Sequence, residues 1–168
     1  MILVIGGSGS GKSAIAERLV AAHPATRRIY LATLQAGDEE SRARVARHRA
    51  QRAALSMETL ERPTDVGAAP IPPGALVLLE DLPNLLANEC FGGGDPDRIE
   101  EALLALDARA CELIVVSGHV FSDGAAHTGE TEDWLRRLAA LHAFCIAHAT
   151  QAIEAVCGIP EILKGEGL

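Results

Sequence analysis

The sequence of 168 residues lacks the features of several protein classes. No apolar run is long enough to span a bilayer, and the opening MILVIGG carries no charged segment, so we expect no membrane span and no signal peptide. The four cysteines form no Cys-x-x-Cys pair, which argues against a disulfide framework or a zinc site. The net charge of -8 argues against a protein that coats nucleic acid. A cytoplasmic protein is the simplest prediction.

Apolar residues make up 48% of the chain and alternate between short continuous runs and longer helical stretches. The predicted strands are Met1–Ile5, Ile29–Ala32, Ala75–Leu79, Leu113–Val116 and Ala152–Cys157. The predicted helices are Lys12–Ala22, Asp38–Ala53, Pro83–Cys90, Arg98–Ala110 and Glu132–Thr150. Continuous apolar strands that alternate with helices are typical of an α/β fold whose parallel sheet is covered on both faces. With no visible repeat, we predict a single domain over residues 1–168.

The segment GGSGSGKS follows the first predicted strand and leads into a predicted helix. It matches the phosphate-loop pattern G-x-x-x-x-G-K-[ST]. In such a loop the glycines let backbone N–H groups surround phosphate oxygens, the lysine reaches the β- and γ-phosphates, and the serine hydroxyl ligates Mg²⁺. A chance glycine-rich turn is the alternative, but the strand and helix on either side argue against it. We therefore predict that a nucleoside triphosphate is bound by Gly6, Gly7, Ser8, Gly9, Ser10, Gly11, Lys12 and Ser13.

A phosphate loop of this kind needs an acidic partner at the end of another buried strand. The segment ALVLLED offers Glu80 and Asp81. Acidic residues also suit a helix N-terminus, so the two side chains could serve different purposes. We expect Mg²⁺ held mainly by the nucleotide, with Ser13 and one acidic residue as protein ligands, and no tightly bound structural metal.

The segment SRARVARHRAQR places His48 among arginines. On a helical wheel its alanines fall on one side, and Arg44, Arg47, His48 and Arg52 fall on the other. A solvated basic face would explain this pattern. The alternative is a basic face that approaches the triphosphate, where neighbouring arginines would favour the neutral imidazole that can attack phosphorus.

Together these segments resemble the bifunctional adenosylcobinamide kinase / adenosylcobinamide-phosphate guanylyltransferases of cobalamin biosynthesis. The resemblance rests on MILVIGGSGSGKSAIAE, YLATLQAGDEESRARVARHRAQR, METLERP, LVLLEDLPNLLANECF and GIPEILKG, and spans most of the chain. It implies a P-loop NTPase (RecA-like) three-layer fold with a mainly parallel central sheet. It also implies that the enzyme phosphorylates adenosylcobinamide with ATP or GTP, then transfers GMP from GTP to the product to give adenosylcobinamide-GDP.

The resemblance assigns roles to individual residues. His48 would be the nucleophile that accepts GMP, and Arg44, Arg52 and Glu61 would bind the nucleotide. Glu80, rather than Asp81, would be the acidic residue near the metal. The substrates would be a nucleoside triphosphate and a corrinoid, and the chain would form a homo-oligomer, a trimer with the nucleotide near a subunit boundary.

Two other functions remain open at this point. One is a P-loop kinase for another small alcohol, in which His48 only helps to clamp phosphate. The other is a nucleotide-binding module that has lost catalysis. The C-terminal half departs most from the family's pattern: this chain has SGHVFSDG where the family tends to have Asn-Glu-Val-Gly, and His142 near an expected asparagine.

Overall fold

A computed structural model of the chain describes residues 1–34, 55–120 and 127–166. The strands are β1 (Ile2–Gly6), β2 (Arg28–Ala32), β3 (Glu58–Glu61), β4 (Leu76–Glu80), β5 (Glu112–Gly118), β6 (Gln151–Val156) and β7 (Ile159–Lys164). The helices are α1 (Lys12–Ala22), α2 (Leu82–Phe91), α3 (Ile99–Arg109) and α4 (Glu130–His148). Short 3₁₀ turns lie at Val66–Ala68 and Pro96–Arg98. Within the described ranges, no helix is long and apolar enough to cross a membrane.

The strands form one sheet in the order β3-β2-β4-β5-β1-β6-β7. All neighbouring pairs are parallel except β6 and β7, which form an antiparallel hairpin. The register aligns Gly6 with Gly118 and Ala155, and Ala32 with Glu61 and Glu80. The carboxyl ends of six strands therefore lie along one edge of the sheet, where open α/β sheets bind their ligands.

Side chains alternate between the two faces of the sheet, and each face has its own apolar core. Helix α1 covers one face and buries Ile15, Ala16 and Val20 against residues such as Val4 and Ile114. Helices α2, α3 and α4 cover the other face, where their buried leucines meet inward residues of β1, β4 and β5. Because both faces of the central strands are buried, these strands have continuous apolar sequences. The result is a three-layer α/β fold with a mainly parallel sheet, as predicted.

The five strands predicted from apolar runs are present, and four of the five predicted helices are found within two residues of their predicted ends. The fifth predicted helix, Asp38–Ala53, lies outside the described residues. Strands β3 and β7 were not predicted. Both are short edge strands in which glutamate, lysine or proline interrupts the apolar pattern, a composition typical of sheet edges.

Candidate active site

The phosphate-loop residues form the connection between β1 and α1. Strand β1 ends at Gly6, and Gly11, with φ of 90°, caps the N-terminus of α1. A left-handed conformation of this kind favours glycine. The Lys12 ammonium folds back over the loop and donates a hydrogen bond to the Gly7 carbonyl, with a length of 3.2 Å. The loop, the lysine and the helix N-terminus therefore converge at the carboxyl edge of the sheet, the arrangement that binds phosphate.

Ser13 lies in the first turn of α1 and contacts the carboxylate at the end of β4. Its hydroxyl donates a hydrogen bond of 2.5 Å to Glu80 Oε1. The sheet order places β5 between β1 and β4, so these two residues meet across one intervening strand. A hydroxyl and a carboxylate are the hard oxygen ligands that Mg²⁺ prefers, and such a site usually relies on substrate phosphates for further ligands. The donor set at Ser13 and Glu80 fits this ion.

Asp81, the neighbour of Glu80, lies at the N-terminus of α2. Its carboxylate accepts a hydrogen bond of 2.9 Å from the backbone N–H of Asn84, which makes it the N-cap of the helix. Burial raises the pKa of the Asp81 carboxyl, and the adjacent Glu80 charge acts in the same direction. The two adjacent carboxylates therefore have different roles: Glu80 contacts Ser13 of the phosphate loop, and Asp81 caps the following helix.

Thr33 and Asn88 fix the ends of the strands around the site. The sequence gives no indication of a role for Thr33, and for Asn88 it shows only a match to a polar position of the family, without a role. The buried Thr33 hydroxyl donates to the Asp81 carbonyl and accepts from the Asp81 N–H, both at 2.8 Å. The Asn88 amide donates to the carbonyls of Thr33 and Pro63, at 2.8 and 3.0 Å. These bonds join the residues that follow β2, β3 and β4. Their signal in the sequence is faint, since Thr33 is only a polar residue after a predicted strand and Asn88 a polar residue within a predicted helix.

Polar residues also surround the end of β5. The backbone N–H of His119 donates to the Gly6 carbonyl at 2.9 Å, and its imidazole Nε2 lies 3.9 Å from Glu154 Oε1. Below it, Ser117 Oγ and His142 Nε2 form a buried hydrogen bond of 2.6 Å. Burial, with a contribution from nearby His119, lowers the pKa of His142 to about 4. His142 is therefore neutral near pH 7.

Of the four remaining predicted site residues, the structure describes only Glu61. Glu61 ends β3 and is aligned with Ala32, so it lies at the same edge of the sheet as the phosphate loop. His48, Arg44 and Arg52 lie outside the described residues, and their predicted roles stay predictions. Within the described part of the chain, no group of three or more His, Cys, Asp or Glu residues is arranged to hold a metal ion.

This fold and this loop define a P-loop nucleotide-binding protein. The fold is similar to that of an ATPase from the type III secretion system of pathogenic bacteria, with a TM-score of 0.50 and 12% identity. That likeness covers 96% of this chain and 56% of the ATPase chain, so the present chain spans about half of that structure. At this identity the comparison shows the fold alone.

The sequence comparisons identify the family. Residues 2–163 match the family described as cobinamide kinase / cobinamide phosphate guanyltransferase (CobU). The chain belongs to this family of bifunctional enzymes.

Two curated relatives agree with this assignment. The bifunctional adenosylcobalamin biosynthesis protein CobP of Pseudomonas aeruginosa is 34% identical over 173 residues, which cover 99% of this chain and 98% of that protein. The bifunctional adenosylcobalamin biosynthesis protein CobU of Escherichia coli is 38% identical over 100 residues, 58% of this chain and 54% of that protein.

Proposed function

We propose that this chain catalyses two successive reactions at its phosphate loop. In the first, the hydroxyl of adenosylcobinamide attacks the γ-phosphorus of ATP or GTP. The bond from that phosphorus to the β–γ bridging oxygen breaks, the nucleoside diphosphate leaves and the hydroxyl proton is released. In the second, GMP passes from GTP to the new phosphate and yields adenosylcobinamide-GDP. The contact between Ser13 and Glu80 beside Lys12 supports the first reaction, because phosphoryl transfer is catalysed mainly by positioning and charge.

The phosphate loop supplies most of the groups for both reactions. Backbone N–H groups of the loop bind the phosphates, and the N-terminus of α1 adds favourable charge there. Lys12 reaches the bridging region of the triphosphate once it leaves its present bond to Gly7. Ser13 and Glu80 would hold Mg²⁺, which neutralises charge on the phosphates when bound. Glu61 is proposed to contact the same nucleotide.

The second reaction is proposed to pass through a covalent intermediate on His48. The neutral imidazole attacks the α-phosphorus of GTP, the bond to the α–β bridging oxygen breaks and pyrophosphate leaves. An oxygen of the cobinamide phosphate then attacks the same phosphorus and displaces the imidazole. Two displacements replace one difficult step, which is the advantage of nucleophilic catalysis. Arg44 and Arg52 are proposed to stabilise the phosphate charge during both displacements.

The assembly and location are also proposals. By resemblance to the family, the chain forms a homotrimer with the nucleotide near a subunit boundary. Its sequence suits a cytoplasmic enzyme, since the four cysteines show no disulfide pattern.

Substitutions of Lys12 and Glu80 test the kinase reaction. We expect Lys12→Ala to lower phosphorylation of cobinamide by roughly a hundredfold to a thousandfold, the cost of removing one preorganised donor from developing charge. Glu80→Gln should lower the rate and weaken its dependence on Mg²⁺ concentration. Product formation is measured by chromatography of the corrinoids, with ATP or GTP as the donor.

Matched variants control for loss of charge elsewhere. Lys164→Ala removes a lysine at the end of β7, beside the start of β6 and away from the carboxyl ends of the parallel strands. Glu58→Gln removes an exposed carboxylate at the start of β3. Both should keep the wild-type rate. If Lys12→Ala and Lys164→Ala show the same rate, the proposed phosphate loop does not carry out the reaction.

A further inference from the structure

The glycines of the phosphate loop fall into two groups according to their surroundings. A Cβ added at Gly7 or Gly9 would meet no atom within 4 Å. At Gly6, a Cβ would lie 2.9 Å from the Ala155 carbonyl oxygen, and at Gly11 it would lie 2.9 Å from the Gly158 Cα. One part of the loop therefore lies in open space, where phosphate can approach. The other part packs directly against the β6–β7 hairpin.

The hairpin contacts the loop through its turn, Val156–Ile159. Both central residues have positive φ, 51° at Cys157 and 83° at Gly158, as two-residue hairpin turns of type I′ require. This geometry directs the backbone N–H of Gly158 toward the phosphate loop, where it donates a hydrogen bond of 2.7 Å to the Ser10 carbonyl. The turn thus makes a hydrogen bond to Ser10 and a close backbone contact with Gly11.

Ser10 and Gly11 immediately precede the two residues that act on the triphosphate, Lys12 and Ser13. A shift of the Ser10 carbonyl would rotate the adjoining peptide groups and change where their N–H groups point. Preorganised donors lose much of their effect when they must be rearranged as the ligand binds. The Gly158 bond and the contact at Gly11 oppose such a shift.

We propose that the β6–β7 turn is a positioning element of the phosphate loop, and that Gly158 is the residue through which it acts. The inference rests on the proposed nucleotide binding at this loop. Gly158 touches no substrate; it holds the loop in the conformation that receives phosphate. The turn therefore supports the nucleotide site, although it lies about 150 residues from the loop along the chain.

Gly158→Ala tests the proposal, because alanine disfavours a φ of 83° although its Cβ has space there. The turn should shift and weaken its bond to Ser10. We expect the Kd for GTP with Mg²⁺, measured by calorimetry, to rise roughly fivefold to tenfold, the worth of one hydrogen bond. Gly158→Asn should recover most of the affinity, since asparagine tolerates positive φ and keeps the N–H.

Gly74→Ala is the matched control. Gly74 has a φ of 73° and open space around its Cβ position, and its N–H bonds to Arg109, away from the phosphate loop. Both alanine variants should lower Tm similarly, but only Gly158→Ala should weaken GTP binding. Hydrogen exchange of the wild-type segment 156–159 provides a test that needs no variant, and it should slow when GTP and Mg²⁺ are added.

Three outcomes distinguish this proposal from the proposed function. Equal Kd values for Gly158→Ala and wild type would overturn the positioning role and leave nucleotide binding intact. If Gly158→Ala does not fold, unchanged exchange of segment 156–159 on GTP binding would overturn it instead. A wild-type protein that binds neither GTP nor ATP would overturn both proposals.

Discussion

At the scale of single residues, Glu80 and Asp81 show how neighbouring carboxylates acquire different environments. Glu80 ends β4 and meets the Ser13 hydroxyl, whereas Asp81 caps α2 and is buried with a raised pKa. The sequence pattern left open which residue faces the metal, and only the family resemblance favoured Glu80. The deciding physical factor is the backbone path, because the chain turns from strand to helix between these two residues.

His142 is a second residue whose environment is set by tertiary structure. Its imidazole is buried on α4 beside Ser117, and burial together with the nearby His119 lowers its pKa to about 4. The sequence shows only that His142 lies in a predicted helix, near an asparagine expected from the family's pattern. Neither its hydrogen bond nor its lowered pKa could be predicted, because Ser117 belongs to a strand 25 residues away.

The lowered pKa makes a prediction about stability. In the unfolded chain His142 takes up a proton near its usual pKa of 6.5, but in the folded protein it does so only near pH 4. The unfolded state therefore binds more protons between these values, and stability contributed at this site falls as pH drops from 6.5 toward 4. Well above pH 6.5, where the histidine is deprotonated in both states, the site has no effect on the pH dependence.

Thermal unfolding of wild type and His142→Gln measures this effect. Glutamine can still bond to Ser117 but does not titrate, and the carboxylates that titrate in both proteins cancel in the comparison. We expect the Tm of wild type to fall more steeply than that of the variant between pH 6.5 and 4. Parallel Tm curves over this range would contradict the lowered pKa.

At the scale of elements, α2 depends on Asp81 for its start. The Asp81 carboxylate satisfies the N–H of Asn84, one of the donors left unpaired in the first turn of any helix. Asp81→Ala should lower the free energy of unfolding by about 1 kcal/mol, the typical worth of an N-cap. Asp81→Asn should cost less, because asparagine supplies the same acceptor without a buried charge.

Urea unfolding followed by circular dichroism compares the two variants. The Asp81→Asn protein should unfold at a higher urea concentration than the Asp81→Ala protein, with similar m-values. If the two variants lose equal stability, the cap does not act through this hydrogen bond.

The helices and strands differ in how well sequence patterns predict them. Helix α1 has the predicted ends, because the phosphate loop fixes its start and its apolar residues face one core. Strand β7 was missed, since IPEILK mixes proline and charged residues with apolar ones at an exposed edge. The contact of its hairpin with Ser10 and Gly11 could not be predicted either, because it depends on how β6 pairs with β1.

At the scale of the whole molecule, the parallel sheet brings distant segments to one edge. The phosphate loop was predictable because all its residues are consecutive, whereas the apolar strand before Glu80 and Asp81 left both carboxylates as candidates. The surrounding network, in which Thr33, Asn88 and Gly158 hold strand ends and loop, was not predictable from a pattern. Those contacts join residues 25 to more than 140 positions apart, and they arise from strand order and register.

The central claim is that one chain joins a phosphate loop to a histidine that accepts GMP. Intact-protein mass spectrometry after incubation with GTP and Mg²⁺, without acceptor, tests it most directly. Wild type and His148→Ala, which removes an exposed histidine at the end of α4, should each gain the mass of one GMP in an acid-labile bond. His48→Ala should gain none while retaining kinase activity. An adduct on His48→Ala, or its absence from wild type that binds GTP, would contradict the account.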